Sequence, residues 1–592
     1  MIFGKHINRY YLKYAPMLLL GLLTLVTVDY LQLIVPNLYQ QVINGINTGL
    51  VTVDGVEQAF DMVFLVERIC MPMVGVILVL VLGRFVWRVC FLGSAIRVEE
   101  QLRNQMFDHA RGLSHQYYQV NKVGNLMSLF TNDLDTIQEC FGWGIMMLFD
   151  ALLLGVLAII KMWNMDWVMT CLSMIPMVLL LAAATVVGSY MTKKWDIRQE
   201  AFSKLSDFSQ ESFSGIAVVK AFVKEAAELM AFKKLNIENE KANMDHTRAA
   251  VLLRILVTLF VESVIGIILG YGGYLVYNER FNAGELVEFI GYFTAVVWPV
   301  MAVSELIDMT SRGKASLKRI SELLDAAQDV VDAPDAKPME TIRGGIECKH
   351  LTFRYPDGEF DCLEDVSFTI QPGERVGLVG KTGSGKTTLV DLLLRTYNVP
   401  DGTVFIDGID INRILIRDVR AACAYVPQDN FLFSDTIANN IAFGLDQGDG
   451  TSVQKAAVLA DVDENIRGFA KGYQTILGER GVTVSGGQKQ RISIARALMK
   501  EAPILILDDS VSAVDTKTEE TILRNLHTTR AGKTTILIAR RISTIEKMDK
   551  IRFMDRGRLV ATGTHGQLYA SCPDYRKMVD LQKLEEGGEE NA

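Results

Sequence analysis

The chain has 592 residues, of which 49% are hydrophobic and 22% charged. Its mean hydropathy of +0.21 excludes a disordered chain and an ordinary soluble enzyme, and indicates a protein that is partly membrane and partly soluble. The net charge of -9 gives no support to nucleic-acid binding. The eight cysteines are scattered without a C-x-x-C pair, so neither a disulfide framework nor a zinc site is predicted.

Six apolar runs are long enough to cross a bilayer, which takes about 20 residues. All lie in the first 310 residues, near 17–36, 70–93, 141–160, 167–189, 249–277 and 286–308. The first run is too long for the apolar core of a signal peptide, and no small-residue cleavage site follows it. The sequence therefore predicts a helical membrane domain with six spans.

Lys and Arg in the connections predict the orientation of these spans, because cytoplasmic loops carry an excess of both. The connection 38–69 holds four acidic residues and one arginine, whereas 94–140 and 190–248 are rich in Lys and Arg. Both termini and the two long connections are therefore predicted inside the cell, in a multi-pass protein of the plasma membrane. The long connections keep apolar residues at helical spacing and are predicted to be helical hairpins that reach into the cytosol.

Five ionisable residues fall inside the predicted spans, where an unpaired charge costs several kcal/mol. They are Asp29, Arg84, Arg88, Asp150 and Glu262. One interpretation is structural ion pairing, for instance of an aspartate with Arg84 or Arg88. The other is a wet cavity in which Asp29, Asp150 and Glu262 attract cationic amphipathic substrates. The sequence leaves both open.

The composition changes after about residue 312, where apolar runs shorten and alternate with helical patterns. This pattern predicts four regions: a membrane domain at 1–325, a linker at 326–340, an α/β domain at 341–580 and an acidic tail at 581–592. The overall fold class is thus an α-helical membrane domain followed by an α/β domain.

The strongest motif in the α/β half is G-x-x-x-x-G-K-T between a predicted strand and a predicted helix. Its residues are Gly380, Lys381, Thr382, Gly383, Ser384, Gly385, Lys386 and Thr387, with Thr388 next. Glycines let backbone N–H groups surround phosphate oxygens, and the helix N-terminus adds positive potential. Lys386 is predicted to reach the β- and γ-phosphates of a nucleotide, and Thr387 to offer its hydroxyl to Mg²⁺.

A second motif is an apolar strand, 504–508, that ends in the carboxylate of Asp508. Alone it would be an ordinary buried strand. With the P-loop present it is predicted to be the Walker B strand, in which Asp508 holds Mg²⁺.

Together with these motifs, the stretch Val484-Ser485-Gly486-Gly487-Gln488, twenty residues before Asp508, closely resembles the signature of the ATP-binding cassette (ABC) family. In that family the signature caps the γ-phosphate of an ATP molecule held by the other nucleotide-binding domain. Four further matches are implied by the same resemblance. They are Tyr355 as the aromatic stacked on adenine, Gln428 as a contact of Mg²⁺, Gly478-Glu479-Arg480-Gly481 as an exporter loop, and Asp515 in the loop that crosses the dimer interface.

The resemblance extends to the membrane half, where six spans and long connections are similar to those of an ABC exporter half-transporter of multidrug type. It implies short coupling helices at the tips of the connections, near 115–121 and 208–214. It also implies ATP and Mg²⁺ as cofactors and export of hydrophobic or amphipathic compounds by alternating access between inward-open and outward-open states. The sequence does not identify the transported compound.

Two positions depart from the family pattern, and both belong to hydrolysis. Asp509 stands where the family has a catalytic glutamate, and Arg540 stands where it has a switch histidine. Aspartate is one methylene shorter, and a misplacement of about 1 Å can cost about 100-fold in rate. Arginine is permanently charged and cannot reproduce a neutral imidazole. The binding residues are all present, so the sequence predicts a site that binds ATP but hydrolyses it poorly.

The intact signature and the altered site together predict a heterodimer in which this chain is the degenerate half. Its partner is predicted to be a second half-transporter of similar length, with Glu after its Walker B aspartate and a switch histidine. Two alternatives stay open: a slowly hydrolysing homodimer, and a regulatory or gating subunit that does not pump. Because the membrane half comes first in a fused chain, an importer is disfavoured.

Overall fold

The computed structural model describes residues 3–53, 56–445, 450–478, 481 and 483–589. The chain divides into two compact units. The first comprises residues 1–111 and 123–326, and the second comprises residues 112–122 and 327–592.

The first unit is almost entirely helical. Up to residue 324 the α-helices in chain order are α1 (Asn8–Lys13), α2 (Ala15–Gln32), α3 (Val35–Thr48), α4 (Met62–Phe64), α5 (Met71–Arg111), α6 (His115–Val120), α7 (Val123–Ser128), α8 (Leu134–Glu139), α9 (Ile145–Met165), α10 (Trp167–Ser214), α11 (Ile216–Ala221), α12 (Glu225–Tyr277) and α13 (Ala283–Leu324). Wider π-helical turns connect some of them at Leu65–Cys70, Leu129–Asp133 and Cys140–Gly144. A short antiparallel hairpin joins strands β1 (Leu50–Val53) and β2 (Val56–Ala59).

Six helical segments in the described part of the chain are long and apolar enough to span a membrane. They are Ala15–Thr48, Met62–Arg111, Val123–Met165, Trp167–Ser214, Glu225–Tyr277 and Ala283–Leu324. Each contains one of the six predicted runs, so the predicted spans are confirmed. The predicted orientation of the termini stays a prediction.

Several spans continue far beyond the length that a bilayer requires. The 53-residue helix α12 packs along the 48-residue helix α10, and α13 packs against both α9 and α3. At about 1.5 Å per residue, α10, α12 and α13 measure about 60 to 80 Å, roughly twice the hydrocarbon thickness. A buried polar contact fixes one extension, because Asp133 accepts hydrogen bonds from Arg319 Nε at 3.1 Å and from the Ser316 hydroxyl at 2.7 Å.

The tips of the two long connections differ from each other. The first contains the separate helix α6, which belongs to the second unit and lies where a coupling helix is predicted. Within that unit Tyr397 donates from its hydroxyl to Gln119 Oε1 at 2.9 Å. At the second tip the prediction is wrong in position. Residues 208–214 are the last turns of α10, and the short separate helix is α11, which follows the break at Gly215.

One of the two interpretations of the intramembrane charges, pairing of an aspartate with Arg84 or Arg88, is not observed. Arg84 donates from Nη2 to Gln32 Oε1 at 3.0 Å, and the guanidinium of Arg88 lies 5.3 Å from the ring centre of Trp87. No ion pair within 4.0 Å joins either arginine to Asp29 or Asp150, all four of which are described. Both arginines are exposed on α5, whereas Asp29 is buried, and neither guanidinium contacts that carboxyl.

The second unit holds ten strands and ten helices besides α6, within the described residues. The strands are β3 (Ile346–Phe353), β4 (Leu363–Ile370), β5 (Arg375–Gly380), β6 (Val404–Ile406), β7 (Ile409–Asp410), β8 (Cys423–Val426), β9 (Ile504–Asp508), β10 (Thr534–Ile538), β11 (Lys550–Asp555) and β12 (Arg558–Gly563). The helices are α14 (Lys386–Leu393), α15 (Ile416–Ala422), α16 (Ile437–Ala442), α17 (Gly450–Leu459), α18 (Asp463–Arg467), α19 (Gly486–Met499), α20 (Thr516–Thr529), α21 (Ile542–Ile545), α22 (His565–Ser571) and α23 (Pro573–Glu589).

Two sheets organise this unit. The larger has the order β12-β11-β5-β10-β9-β8 and is parallel except for the antiparallel edge pair β11–β12. The smaller, β4-β3-β6-β7, is antiparallel. Strands β9 and β10 are buried along their whole length, as expected for central parallel strands covered on both faces. Their carboxyl ends lie beside that of β5, and the candidate site lies at this edge.

Candidate nucleotide site

The P-loop runs from the end of β5 into α14, as predicted. A Cβ at Gly380 would overlap the carbonyl oxygen of Met554, so a side chain cannot be accommodated there. Gly385 precedes α14 with φ of 92°, in the left-handed region that favours glycine. These two glycines bring the backbone close to neighbouring strands and turn it into the first helical turn, whose free N–H groups form an anion site.

Lys386 is folded back onto the loop. Its ammonium donates to the carbonyls of Gly380 at 2.9 Å and Lys381 at 2.8 Å, and to the Ser384 hydroxyl at 3.1 Å. Burial lowers the pKa of Lys386, and the nearby carboxylate of Asp508 opposes that shift. The remaining loop residues, Lys381, Thr382 and Gly383, are exposed. The lysine thus lies at the concave side of the loop, where a phosphate would replace the carbonyls as its partner.

Asp508 ends β9 and is only 1% exposed. Its Oδ2 is buried, and no hydrogen-bond donor reaches it within the described residues. The hydroxyl of Thr387 is its one side-chain hydrogen-bond contact, and burial raises the pKa of the Asp508 carboxyl. A buried oxygen without a donor, beside a hydroxyl, fits a hard cation with oxygen ligands such as Mg²⁺. The structure therefore brings together the two residues predicted to hold the metal.

Asp509 and Arg540 form an ion pair at this edge of the sheet. Arg540 Nε lies 2.9 Å from Asp509 Oδ2, and the aspartate side chain is nearly buried while the arginine is more than half exposed. Asp509 has φ of 48°, and its N–H donates to the Ile538 carbonyl at 2.9 Å. Burial raises the pKa of Asp509, and Arg540 opposes that rise. The carboxylate at the catalytic position is thus bound to a cation of its own chain.

Gln428 follows β8 and reaches the same carboxylate. Its Nε2 lies 3.4 Å from Asp509 Oδ2, a long hydrogen bond. The structure therefore places Gln428 beside Asp509 and Arg540. The predicted contact of its amide oxygen with Mg²⁺ stays a prediction.

Gln582 is a residue of this site that the sequence analysis missed. It lies on α23, in the segment predicted to be an acidic tail, and accepts from the Ile542 N–H at 2.9 Å while donating to the Arg540 carbonyl at 2.7 Å. One side-chain amide thus fixes both sides of the turn that carries Arg540. A lone glutamine near a chain end carries no sequence signal, because the contact spans about forty residues.

Tyr355 is anchored to the first turn of α14. Its hydroxyl donates to Thr388 Oγ1 at 2.9 Å, and its ring packs edge-on against Phe353 and Tyr397. Burial raises the pKa of the Tyr355 hydroxyl, which therefore stays protonated and can donate. An aromatic side chain held beside the P-loop fits the predicted role in adenine stacking, and Thr388 supports that aromatic as well as belonging to the loop.

The signature stretch begins α19 through a capping box. Ser485 Oγ accepts from the Gln488 N–H at 3.3 Å, and Gln488 Oε1 accepts from the Ser485 N–H at 3.0 Å. A Cβ at Gly487 would lie 2.9 Å from the Ala513 carbonyl, so this glycine permits a close approach. Ser485 and Gly486 are exposed, and Gly487 is half-buried. The first N–H groups of α19 are therefore available to a ligand outside this chain's own P-loop.

The resemblance also singled out Asp515 and the exporter loop. Asp515 is the N-cap of α20, where its carboxylate accepts from the Thr518 N–H at 3.0 Å, and this hydrogen bond lowers its pKa. Its predicted place at a dimer interface stays a prediction. Glu479 and Arg480 of the exporter loop lie outside the described residues.

A titratable group below the P-loop gives a test of the site's electrostatics. Asp391 lies on α14, and burial together with the Asp508 carboxylate raises its pKa from 3.8 to about 6. The folded state therefore binds more protons than the unfolded state between these values, and stability falls as pH rises through that window. We expect Asp391→Asn to raise the thermal midpoint of the nucleotide-free chain at pH about 7.5, and to raise it less at pH about 5.

Thermal unfolding at both pH values, with the exposed Asp357→Asn as control, measures this effect. An equal gain in thermal midpoint at both pH values, or no gain at neutral pH, would show that burial does not raise the pKa of the Asp391 carboxyl in the folded chain.

Comparisons with known proteins identify the family of both halves of the chain. The profile described as "ABC transporter transmembrane region" matches residues 18–300, and the one described as "ABC transporter" matches residues 363–512. The probable multidrug resistance ABC transporter ATP-binding/permease protein YheI of Bacillus subtilis is 35% identical over 99% of this chain and 98% of its own length.

Two further relatives support the same assignment. The multidrug resistance-like ATP-binding protein MdlA of Escherichia coli is 34% identical over 95% of this chain and 93% of its own. A solved structure of a bacterial Atm1-family ABC exporter with ATP bound superposes with a TM-score of 0.76 at 25% identity, covering 97% of this chain and 98% of that one. With its membrane region first and its P-loop unit second, the chain belongs to the ABC transporter family.

Proposed function

We propose that this chain is one half of an ATP-driven efflux transporter for hydrophobic or amphipathic compounds, and that its own nucleotide site binds ATP with Mg²⁺ but hydrolyses it slowly. The Asp509–Arg540 ion pair carries the second part of the proposal. The names of the relatives YheI and MdlA, which refer to multidrug resistance, support the first part.

Binding and hydrolysis draw on different residues of the site. Tyr355, the P-loop with Lys386, and Thr387 with Asp508 would hold the nucleotide and the metal. Mg²⁺, when bound, neutralises phosphate charge and orients the phosphates. Because all of these residues are present and lie at or beside the P-loop, we expect binding to be intact.

Hydrolysis needs a carboxylate that is free to orient a water molecule toward the γ-phosphate. Asp509 is short, nearly buried and paired with Arg540, so its charge is already neutralised. An ion pair at 2.9 Å also draws the carboxylate toward the arginine. Proximity effects are steep, and the site is therefore expected to cleave ATP slowly.

The signature of this chain is well formed, because Ser485 and Gln488 cap α19 and its first turn is exposed. We propose that it completes the site of a second, catalytically competent half-transporter. The pair would then hydrolyse ATP mainly at the partner's P-loop, and alternating access would follow closure of the two nucleotide-binding domains.

Transport by the purified complex in vesicles tests this function. Cells that produce this chain with an affinity tag are expected to yield a second half-transporter of similar length on purification. Reconstituted together, the two chains should accumulate a fluorescent amphipathic dye in inside-out vesicles when ATP is added. Co-purification without ATP-dependent dye accumulation would favour a regulatory subunit, and robust accumulation by this chain alone would favour a homodimer.

A further inference from the structure

Two aspartates from different helices meet inside the membrane half. Asp29 lies on α2 and Asp150 on α9, and their carboxyl groups are within hydrogen-bonding reach of each other. Asp29 is 1% exposed, and Trp298 on α13 donates from Nε1 to Asp150 Oδ2 at 2.7 Å. Three spans thus converge on one pair of acids.

The donors around this pair do not satisfy its oxygens. Trp298 supplies one N–H to Asp150, but Asp29 Oδ2 is buried and receives no hydrogen bond from the described residues. A buried oxygen without a donor costs about 1–3 kcal/mol, and more if it carries charge. Two carboxylates in contact cannot both stay ionised at low cost, because their charges repel in a medium of low dielectric.

The charged groups on the helices packed around the pair do not supply a counterion in contact with it. Arg84 on α5 acts on both carboxyls from a distance while donating to Gln32. Glu288 on α13 has its own partners, since Asn37 and Tyr292 both donate to its Oε1. The missing donor must therefore come from outside the protein.

The size and composition of the site limit what that ligand can be. Because Asp29 is buried whereas Asp150 is only partly buried, an organic cation could reach Asp150 but would leave Asp29 without its missing donor. A divalent metal ion needs about six oxygen ligands, and the described residues contain no group of three or more His, Cys, Asp or Glu side chains that could hold one. A proton needs only two oxygens and supplies the missing O–H donor.

We propose that Asp29 and Asp150 form a proton-binding site in the membrane half, in which one proton taken from water is shared between the two carboxyl groups and links α2 to α9. The proton supplies the hydrogen bond that Asp29 lacks and halves the charge of the pair. When the two helices separate, both carboxyls gain water and the proton returns to solvent. The site would thus bind its proton in one arrangement of the spans and release it in another.

Infrared spectroscopy of the reconstituted full chain at neutral pH tests this directly, without ATP or substrate. The wild-type spectrum is expected to contain the band of a protonated carboxylic acid that shifts in heavy water. Asp150→Asn should remove this band. The introduced amide can donate to Asp29, so the pair no longer needs a shared proton. The double variant Asp29→Asn, Asp150→Asn should lack the band as well.

Asp308→Asn is the matched control, because Asp308 is an exposed aspartate on α13 whose carboxyl already has a partner, Arg312 at 3.0 Å. This variant is expected to leave the band unchanged. Binding of a fluorescent ATP analogue by each variant confirms that the chain is folded. A wild-type spectrum without a protonated carboxyl, or a band that persists in both Asp150→Asn and the double variant, would overturn the proposal. Neither result would bear on whether the protein hydrolyses ATP or transports.

Discussion

Replacing Asp509 by Glu and Arg540 by His in the same chain is expected to raise ATP turnover at this chain's own site by about 100-fold. Glutamate extends the carboxylate by one methylene toward the attacking water. Histidine removes the cation that holds the carboxylate at 2.9 Å in the wild type. Both changes are needed, because a glutamate beside Arg540 would still be paired with it.

Three variants separate these contributions. Asp509→Glu alone should gain only a few-fold, since the ion pair persists. Arg540→His alone should also gain little, because the freed aspartate is still short. Asp509→Asn with Arg540→His removes the ion pair but leaves no carboxylate at position 509, so its ATP turnover should remain slow. Steady-state phosphate release is the measurement. A double Glu/His variant no faster than the wild type would show that the pair is not what limits hydrolysis.

Lys386→Ala is expected to weaken ATP binding to this chain by about 10- to 100-fold, because a charge-assisted hydrogen bond contributes about 1.5–3 kcal/mol. The ammonium is already held at the loop by three oxygens at 2.8–3.1 Å, so it is preorganised for a phosphate. In the proposed complex with a partner, however, most ATP hydrolysis should survive, because we propose that it takes place at the partner's P-loop.

A fluorescent ATP analogue measures the affinity, and phosphate release from the complex measures turnover. Lys533→Ala is the matched control, because Lys533 is a lysine of the same unit that donates to the Glu501 carbonyl at 3.1 Å and has no place in the site. If Lys386→Ala and the equivalent change in the partner's P-loop abolished hydrolysis equally, the division of labour between the two sites would be wrong.

The sequence predicted the parts of this molecule that depend on local patterns. The six spans follow from the length of apolar runs, and the P-loop follows from the spacing of Gly380, Gly385 and Lys386 between a strand and a helix. Asp508 was predicted because a buried strand that ends in a carboxylate has a fixed place in such folds. These features need only residues that are close in the chain.

The features that the sequence missed depend on contacts between distant residues. The Gln582 contact with the Arg540 turn joins α23 to a turn about forty residues earlier. One of the two interpretations paired an intramembrane aspartate with Arg84 or Arg88, whereas in the structure Arg84 donates to Gln32 and Asp29 interacts with Asp150. The break at Gly215 also puts the short separate helix after the predicted range 208–214, because a helical pattern does not show where a long helix ends.

Asp509 and Arg540 are interpreted differently from the sequence and from the structure. The resemblance identified both positions as departures, and each departure was interpreted separately, as a short carboxylate and a misshapen sensor. The structure joins them in one ion pair, so the two substitutions act on each other. This coupling explains why neither change alone is expected to restore hydrolysis.

The most direct test of the central claim is to purify this chain without any partner and to measure ATP binding and ATP cleavage on the same sample. We expect it to bind a fluorescent ATP analogue in the presence of Mg²⁺, and to release phosphate about 100-fold more slowly than its own Asp509→Glu, Arg540→His variant. Rapid phosphate release by the unaltered chain alone would contradict the claim that this pocket holds ATP without readily cleaving it.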